Sequence, residues 1–486
     1  MNLVSPESVG VPSSAILAFL NDLRESRFNM HSVLVLRHGE LIYEAYQAPY
    51  GKDVKHRLAS VSKTFTAIAA GLLIDEGKLS LDDKVVKFFP EYTPEPVHPL
   101  LAAATIEDML TMRDPHYSYS HGFSIKANWL ESWFLTPPDH PAGTIFEYNT
   151  TSTNLVASII ERISGMDMME YMYPRLLSHL GFSEGCFCGK TPDGDAFGGS
   201  AVHCTPRDLA KLALFVMNGG KWDGKQLMSE EFILRLRSNL VDNSLFGISV
   251  EGMFGYGYFT WHLRGGGFGF FGIHGQFAFG FPENGLVVVT TGNTTDHYAN
   301  EGDILISQFS ERIYNNLLPA LSEKPLNENP VEHKKLLERD KLPFVLAPGK
   351  TSSLKSAMFS GASYAMHPNT SGWKNASFKF EGDKGKICYT NRRGSYEIEF
   401  GFGYAHPITF PEAPSMPAMI EDNFGYDSTA SAGWINDTTL AIHIYPIRGG
   451  YMHINAVFNG DTLTIAIKPK EGFRADYGGY MYGNRK

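Results

Sequence analysis

The chain has 486 residues, of which 43% are hydrophobic and 19% are charged, and this composition excludes a largely disordered protein. The formal net charge is −10 at pH 7 and no dense run of lysine or arginine occurs, so neither nucleic acid nor a membrane is expected as a partner. The length predicts more than one domain.

The start of the chain predicts a mature protein without a leader. No basic segment is followed by an apolar one, and Pro12-Ser13-Ser14 indicates the start of an amphipathic helix. The apolar run 67–74 is far shorter than the about 20 residues that cross a bilayer. Because the four cysteines are too few for a disulfide framework, a cytoplasmic location is expected.

The predicted elements change type along the chain. Two β-rich runs, 32–37 and 40–46, predict a hairpin, and helical signals dominate over 64–240. Strand-like segments return after residue 254, and helical periodicity follows over 300–321. The hairpin and the later strands could complete one antiparallel sheet, with the helical middle as a lobe against it. This order predicts an α+β domain with an all-α insertion.

A second domain is predicted beyond these helices. Residues 326–350 are rich in proline, lysine and glutamate and predict a linker between a domain over 1–325 and a domain over 351–486. The last region holds short β runs between glycine, asparagine and aspartate turns, among them "SFKFEG", "KICYTN", "YEIEFGFG", "TLAIHIYP", "YMHINAVFNG" and "TLTIAIKP". Such spacing is typical of a small all-β barrel or sandwich, and our prediction is a lipocalin-like barrel.

The cysteines raise the alternative of a metal site. Cys186-Phe187-Cys188 is followed by His203-Cys204, but structural zinc sites usually separate paired thiolates by about two to four residues. We therefore predict buried or half-buried free thiols, and we expect neither a metal nor an organic cofactor.

A serine and a lysine stand three residues apart at the start of a strong helix. In "LASVSKTFTAIAAGLL" they are Ser60 and Lys63, and residues at this spacing share one helix face. One interpretation is that Ser60 only caps the helix. The other is that Lys63 has a lowered pKa, because apolar neighbours dehydrate it and the helix N-terminus is positive, and acts as the base for a Ser60 nucleophile.

The same string occurs twice more, at Ser352/Lys355 and at Ser371/Lys374. The first lies in a linker and the second in a turn-like segment, so no rigid element holds either pair together. The helical context therefore favours Ser60 as the nucleophile.

Three stretches carry a family resemblance: "LASVSKTFTAIAAGLLIDEGKLSLDDKVVKFFPEY", "PAGTIFEYNTTSTNLVASIIERISG" and "GGSAVHCTPRDLAKLALFVMNGGKWDGKQLMS". They resemble the penicillin-binding proteins and class C β-lactamases, and most of all their esterase and D-aminopeptidase-like relatives, over roughly residues 5–320. The resemblance implies the β-lactamase/transpeptidase-like fold, in which helices flank an antiparallel sheet beside an all-α lobe. It also implies a serine hydrolase.

In that family a Tyr-x-Asn loop faces the serine–lysine pair, and its tyrosine relays protons. The resemblance assigns this place to Tyr148-Asn149-Thr150, where a threonine stands at the third position in place of the motif's asparagine. Full matches begin at Tyr314 and Tyr482, but a predicted helix and a frayed chain end are the wrong settings for the loop. A cation near Tyr148 would lower its pKa from about 10, whereas the alternative is a half-buried loop aromatic. Thr150 lacks the amide that holds an acylamino side chain in β-lactam-binding relatives.

The third family motif is Lys-Thr-Gly or His-x-Gly on a strand that lines the site. In "FGIHGQFAFGFP" it begins at His274 or at Ile273, and neither register contains a lysine. His274 could polarise the substrate or relay protons, or it could make a structural hydrogen bond. Gly275 suits a close approach of the substrate, and a backbone N–H near Gln276 is predicted to form the oxyanion hole with that of Ser60.

These residues predict a hydrolase of small esters, amides or peptides, of the esterase or D-amino-acid amidase/peptidase type. The missing lysine and the threonine at position 150 disfavour the alternative of a β-lactamase or D-Ala-D-Ala carboxypeptidase. An alternative of another class is a penicillin-binding or sensor protein that is acylated without turnover. The barrel could restrict access to the cleft or join copies of the chain in a homo-oligomer.

Overall fold

Two compact units make up the chain, and the computed structural model describes residues 1–26, 28–117, 128–245, 250–294, 302–342, 345–412, 427–446, 451–470 and 478–486. The contacts within these residues place the first unit up to Leu342 and the second from position 343 onward. The division lies inside the segment 326–350. The two domains and the linker that the sequence predicts, with their boundaries, stay predictions.

The helices of the first unit follow the capping signals of the sequence. The glycines Gly77 and Gly165, both with φ of +68°, come just after two of these helices, and Thr205 caps a third with its side chain. No helix among the described residues has the length and apolar character needed to cross a membrane. In chain order the helices are α1 (Ser13–Glu25), α2 (Ser62–Asp75), α3 (Pro99–Ala103), α4 (Ile106–Leu110), α5 (Trp129–Leu135), α6 (Thr150–Ser164), α7 (Met168–Met172), α8 (Pro206–Met217), α9 (Glu230–Arg237), α10 (Gly302–Arg312) and α11 (Pro330–Leu337).

Of the last two helices of the first unit, α10 was predicted from the sequence and α11 was not. The helix predicted over 300–321 is α10, continued by a short π-helical turn over Ile313–Leu317, and residues 300 and 301 lie outside the described residues. Helix α11 lies within the predicted linker, and it packs against α1. Asn329 caps α11 and Pro330 occupies its first turn, which is the usual place for proline.

The predicted antiparallel sheet is present. Its strands run in the order β2-β1-β11-β10-β9-β8, so the first hairpin pairs with the strands near residue 290. A short sheet of the order β3-β5-β4 lies at the entry to α2. The strands of this unit are β1 (Met30–Arg37), β2 (Glu40–Tyr46), β3 (His56–Arg57), β4 (Phe187–Cys188), β5 (Val202–Cys204), β6 (Lys221–Trp222), β7 (Lys225–Gln226), β8 (Trp261–His262), β9 (Phe268–Gly272), β10 (Gln276–Phe281) and β11 (Leu286–Gly292).

Helices cover the sheet and form the predicted lobe. α8 packs against β1, β10 and β11, and the ring of Phe309 on α10 contacts the rings of Phe277 and Phe279 on β10. In the lobe, α6 packs against α2, α4, α5 and α7. Because α2 lies between these layers, every residue from Ser62 to Leu73 is buried. A helix in such a position can enclose an ionisable side chain.

The second unit is the predicted barrel. Among the described residues, a parallel contact between Gly401–Phe402 and Ser431–Ala432 closes a ring of nine strands, with one further strand at its edge. Its core is aromatic, with the ring of Phe458 in contact with Phe359, Phe378 and Trp434. The elements are α12 (Ser356–Phe359), β12 (Ser363–Met366), β13 (Asn375–Glu381), β14 (Lys384–Thr390), β15 (Ser395–Phe402), β16 (His406–Thr409), β17 (Asp427–Asn436), β18 (Thr439–Pro446), β19 (Tyr451–Asn459), β20 (Thr462–Lys470) and β21 (Gly479–Arg485).

All six β runs taken from the sequence are strands of this barrel, but four strands were not predicted. These are β12, β16, β17 and β21. The expectation of a frayed chain end at Tyr482 is wrong, because this residue pairs with Thr464 between β21 and β20. The last residues therefore complete the ring of strands.

Candidate active site

Ser60 lies in a tight turn between β3 and α2. The turn, Ala59–Val61, begins at Ala59 with φ of +47°, a conformation that is uncommon for a residue with a side chain. Leu58 donates its backbone N–H to the carbonyl of Val202 at 2.8 Å, which ties the turn to β5. No side chain caps α2, so Ser60 is not a capping residue. Its side chain is half-buried.

Lys63 lies one helical turn beyond Ser60 and is only 1% exposed. Its Nζ is 3.0 Å from Ser60 Oγ and donates to the backbone carbonyl of Gly199 at 2.7 Å. Burial lowers the pKa of Lys63 to about 7, and the charge of Arg57 acts in the same direction. Near neutral pH a large share of this amine is therefore uncharged, and its lone pair can accept a proton from the serine hydroxyl.

Tyr148 lies on the loop that leads into α6. Its ring centroid is 5.0 Å from Lys63 Nζ, and the ring stacks on Trp261 at 5.3 Å between centroids. Asn149 caps α6 by accepting the backbone N–H of Thr151 at 2.8 Å. The asparagine after Tyr148 thus fixes the loop, and the aromatic stack fixes the ring beside the buried amine.

The first turn of α6 is also anchored by a buried carboxylate that sequence reasoning missed. Asp114 Oδ2 accepts Ser152 Oγ at 2.9 Å and Trp133 Nε1 at 3.0 Å, and Oδ1 pairs with His116 Nδ1 at 2.9 Å. His116 Nε2 is 3.0 Å from the carbonyl of Thr136, so a proton on each ring nitrogen satisfies both contacts. Burial lowers the pKa of His116, but the hydrogen bond and charge of Asp114 outweigh it and raise the pKa overall.

Thr150 packs against Gly199, the residue whose carbonyl accepts Lys63 Nζ. It is the first residue of α6 and buried, and a Cβ on Gly199 would collide with its Cγ2 atom. Asn154 Oδ1, one turn further along α6, accepts the backbone N–H of Gly199 at 3.3 Å. The structure therefore brings Thr150 to the peptide that holds Lys63.

The end of β9 packs directly on the turn that carries Ser60. A Cβ on Gly272 would lie 2.5 Å from the carbonyl oxygen of Leu58 and 3.2 Å from Ser60 N, so this approach requires a residue without a side chain. Gly272 also pairs with Gln276 across β9 and β10. Sequence reasoning did not select Gly272, although a glycine at a strand end was a signal that could have done so.

The predicted third motif forms a turn between β9 and β10. His274 has φ of +70° and is half-buried, while Gly275 has φ of +95° and lies close to Met30, with its carbonyl accepting Thr290 Oγ1 at 2.9 Å. Gln276 is buried, and its amide donates to the carbonyl of Gly292 at 2.7 Å. Gly275 and Gln276 therefore contact the protein itself through the atoms described, and their role toward a substrate stays a prediction.

The cysteines and the acidic groups lie outside this arrangement. All four cysteines are free thiols, Cys188 and Cys204 buried and Cys186 and Cys388 half-buried, as predicted. Burial raises the pKa of the Cys188 and Cys204 thiols. The one group with metal-ligand spacing among the described residues is formed by Glu7, Glu328 and His333, and the Glu7 carboxylate already accepts the backbone N–H and the hydroxyl of Ser13.

The fold, in which a helical lobe lies beside an antiparallel sheet and a buried lysine lies next to a serine hydroxyl, is of the β-lactamase/transpeptidase-like class. The sequence matches the Beta-lactamase family over residues 22–309, and the chain belongs to this family.

Named relatives agree with this assignment. The chain is 28% identical to a 6-aminohexanoate-dimer hydrolase of Paenarthrobacter ureafaciens over 289 residues, which are 54% of this chain and 72% of that protein. It is 35% identical to the esterase EstB of Burkholderia gladioli over 97 residues, 18% of this chain and 25% of EstB. A penicillin-binding protein homologue from Caulobacter crescentus has a similar fold, with a TM-score of 0.52 at 17% identity over 65% of this chain and 99% of the homologue. At the level of the family the chain is a hydrolase.

Proposed function

We propose that the protein hydrolyses esters or amides of small substrates through an acyl-enzyme on Ser60. The observation that carries the proposal is the 3.0 Å separation between Ser60 Oγ and the buried Nζ of Lys63. A serine hydroxyl is a weak nucleophile unless a base removes its proton. An amine with a pKa of about 7 is suited to that task, because general bases are most effective near the working pH.

In the first half of the reaction, Ser60 Oγ bonds to the substrate carbonyl carbon as its proton moves to Lys63 Nζ. The negative charge on the former carbonyl oxygen would lie between the N–H of Ser60 and a backbone N–H of the 272–276 turn, where Gly272 packs on the turn that carries Ser60 and pairs with Gln276. Collapse of the intermediate then breaks the bond to the leaving group. Tyr148 passes that group the proton that Lys63 took up, so both side chains return to their starting protonation states, and the acyl group remains on Ser60.

In the second half, water attacks the acyl-enzyme and gives a proton to Lys63, directly or through Tyr148, or to His274. Cleavage of the ester to Ser60 releases the acid, and the serine oxygen regains a proton. Apart from the substrate and water, the groups named in this cycle are residues of the chain.

The substrate class rests on the relatives and on two residues of the site. One relative is named for an amide substrate, a 6-aminohexanoate dimer, and another is an esterase. The third motif has no lysine to bind a substrate carboxylate, and the short side chain of Thr150 packs against Gly199. These features favour ester or amide hydrolysis, including D-amino-acid amides, over the work of a β-lactamase or D-Ala-D-Ala carboxypeptidase.

A β-lactamase remains the second candidate, because the chain is 28% identical to a Beta-lactamase of Escherichia coli over 141 residues, 28% of this chain and 36% of that protein. A third candidate is a sensor that is acylated once and stays acylated.

Turnover of three substrate sets separates these functions: p-nitrophenyl esters of short acids, p-nitroanilides of D-amino acids, and a chromogenic cephalosporin. We expect a burst followed by sustained release from the esters or anilides, and little from the cephalosporin. A burst that stops at one equivalent would identify the sensor. Ser60→Ala should abolish release, whereas Ser352→Ala, in an exposed copy of the same motif, should leave it unchanged. Release that survives Ser60→Ala would overturn the proposal.

A further inference from the structure

Arg57 lies on β3, three residues before Ser60, and forms a fork onto Ser200. Its Nε donates to the carbonyl oxygen of Ser200 at 3.0 Å, and its Nη2 donates to Ser200 Oγ at 2.8 Å. A planar guanidinium that makes two such bonds holds its partner in position and orientation. The sequence motifs gave Arg57 no role.

The partner of Arg57 is the neighbour of the residue that holds the lysine. Ser200 follows Gly199, whose carbonyl accepts Lys63 Nζ at 2.7 Å. A single peptide link therefore separates the anchor of Arg57 from the anchor of Lys63. A shift of Ser200 would carry the Gly199 carbonyl with it.

The segment 198–202 is also hydrogen-bonded to α2, the helix that begins just after Ser60. Thr66 Oγ1 donates to the carbonyl of Gly198 at 3.1 Å, and the backbone N–H of Val202 donates to Ser62 Oγ at 2.9 Å. The ionisable groups that face Lys63 from other elements of the described chain are the guanidinium of Arg57 on β3 and the phenol of Tyr148, whose ring centroid is 5.0 Å from Nζ, and of these Arg57 carries the positive charge. Arg57 is half-buried and Lys63 is buried, so the charge of the guanidinium acts on the amine with less screening than in water.

We propose that Arg57 is a positioning residue for Lys63, which fixes the Gly199 carbonyl through Ser200 and keeps the amine in its uncharged, proton-accepting form by the repulsion between two like charges. The proposal rests on the function proposed above, in which Lys63 is the base. It assigns two separable effects to one side chain, a geometric one through the fork and an electrostatic one through the guanidinium.

The electrostatic effect has a definite sign. A nearby cation disfavours a second cation, so Arg57 acts in the same direction as burial, which is the larger cause of the lowered pKa of Lys63. Arginine stays charged throughout the working pH range. Removal of its charge should therefore move the activity profile toward alkaline pH.

A purely structural role is the competing explanation. Arg57 also pairs with His203 between β3 and β5, so its loss could loosen the small sheet at the entry to α2. Such loosening would lower the activity by a similar factor at every pH. The pH profile therefore separates the two explanations.

The test measures the rate at which a fluorophosphonate labels the full-length protein, by intact mass, from about pH 6 to about pH 9.5. For Arg57→Gln we expect the ratio of wild-type to variant rates to be about fivefold or more larger near pH 6.5 than near pH 9. Arg57→Lys keeps the charge but loses the fork, so its rate should fall while the midpoint of its profile stays near that of the wild type. Arg24→Gln, which removes an exposed arginine on α1, should leave the rate and the profile unchanged.

Ser200→Ala provides a milder variant should Arg57→Gln fail to fold. It removes one bond of the fork and keeps the charge, so we expect a lower rate without a shift of the midpoint. A shifted midpoint in Ser200→Ala, or an Arg57→Gln rate lowered equally at all pH values, would overturn the assignment. Failure of the proposed function itself would look different, because the wild type would then acquire no adduct that depends on Ser60.

Discussion

The two sides of the candidate site are built in opposite ways. On the lysine side, formed by Ser60, Lys63 and Gly199, Lys63 is 1% exposed and its amine makes two contacts. On the turn side, formed by the residues 272–276, Ile273 is 39% exposed and His274 has a left-handed backbone. The first side owes its chemistry to packing, and the second owes its shape to backbone conformation.

This difference indicates which side should tolerate change. The properties of a buried amine depend on every neighbour that excludes water or carries charge, so the lysine side should respond to substitution with large losses and altered pH profiles. A partly exposed turn can keep its backbone with other residues that accept positive φ. Changes there should have smaller effects that depend on the substrate.

The largest effect is expected for Lys63→Met. The thioether has nearly the length of the lysine stem but cannot accept a proton, so the acylation rate should fall about 10³-fold or more while the fold is retained. The burst of p-nitrophenol from an ester and the thermal midpoint measure the two properties. Lys355→Met, the exposed lysine of a second Ser-x-x-Lys string, is the control and should behave as the wild type. Retention of more than about a tenth of the rate would contradict the role of Lys63.

Tyr148→Phe should have the next largest effect. The variant keeps the ring that stacks on Trp261 and loses only the hydroxyl, so stability should be preserved while turnover falls about 10²-fold. The loss should be greater for amides than for p-nitrophenyl esters, because a nitrophenolate leaves without a proton. Equal losses for both substrates would argue against Tyr148 as the donor to the leaving group.

Gly272→Ala tests the contact between the two sides. Its methyl group would press on the carbonyl of Leu58 and on Ser60 N, so we expect the turn that carries Ser60 to shift and turnover to fall about tenfold or more. Gly51→Ala is the matched control, because a Cβ at Gly51 meets no atom within 4 Å. A Gly272→Ala variant with wild-type turnover would remove this glycine from the account.

His274→Asn should have a modest effect. Asparagine accepts positive φ more readily than most residues, so the turn should keep its shape and the thermal midpoint should stay within a few degrees of the wild type. We expect a loss of only several-fold in turnover, concentrated in the deacylation step, which the steady-state rate after the burst reports. A loss as large as that of Lys63→Met would place His274 in the chemistry of acylation.

The smallest effect on turnover is expected for His116→Gln, whose main signature is in stability. The folded protein raises the pKa of His116, so its contribution is complete below the pKa of about 6.5 in the unfolded chain and is lost as the pH rises through the folded value. Urea unfolding should show a larger difference between wild type and variant near pH 5.5 than near pH 8.5. The reverse order would show that His116 is neutral in the fold.

The sequence predicts the parts of this molecule that depend on local patterns. Gly77 and Gly165 mark the ends of α2 and α6, and Thr205 marks the start of α8. The spacing of Ser60 and Lys63 places them about one helical turn apart. Strand β17 was missed because its sequence, "DSTASAGWIN", consists mainly of small and polar residues with little β propensity.

Local sequence patterns do not predict contacts between residues that lie far apart in the chain. Gly199 reaches Lys63 across 136 positions of sequence, and Ser200 meets Arg57 across 143. Nothing in the local pattern around either residue indicates such a partner. The contact of Gly272 with Ser60 N is of the same kind, because it arises only when β9 enters the sheet beside the turn.

The pH dependence of acylation tests the central claim most directly. A stopped-flow measurement of the p-nitrophenol burst from p-nitrophenyl acetate, on wild-type protein at a series of pH values, gives the rate constant for acylation of Ser60. Because we propose the uncharged form of Lys63 as the base and its pKa is about 7, the rate constant should rise with pH and reach half its maximum near pH 7. A rate constant without a rise in this range, or one that climbs only near the ordinary lysine pKa of about 10.4, would contradict the account.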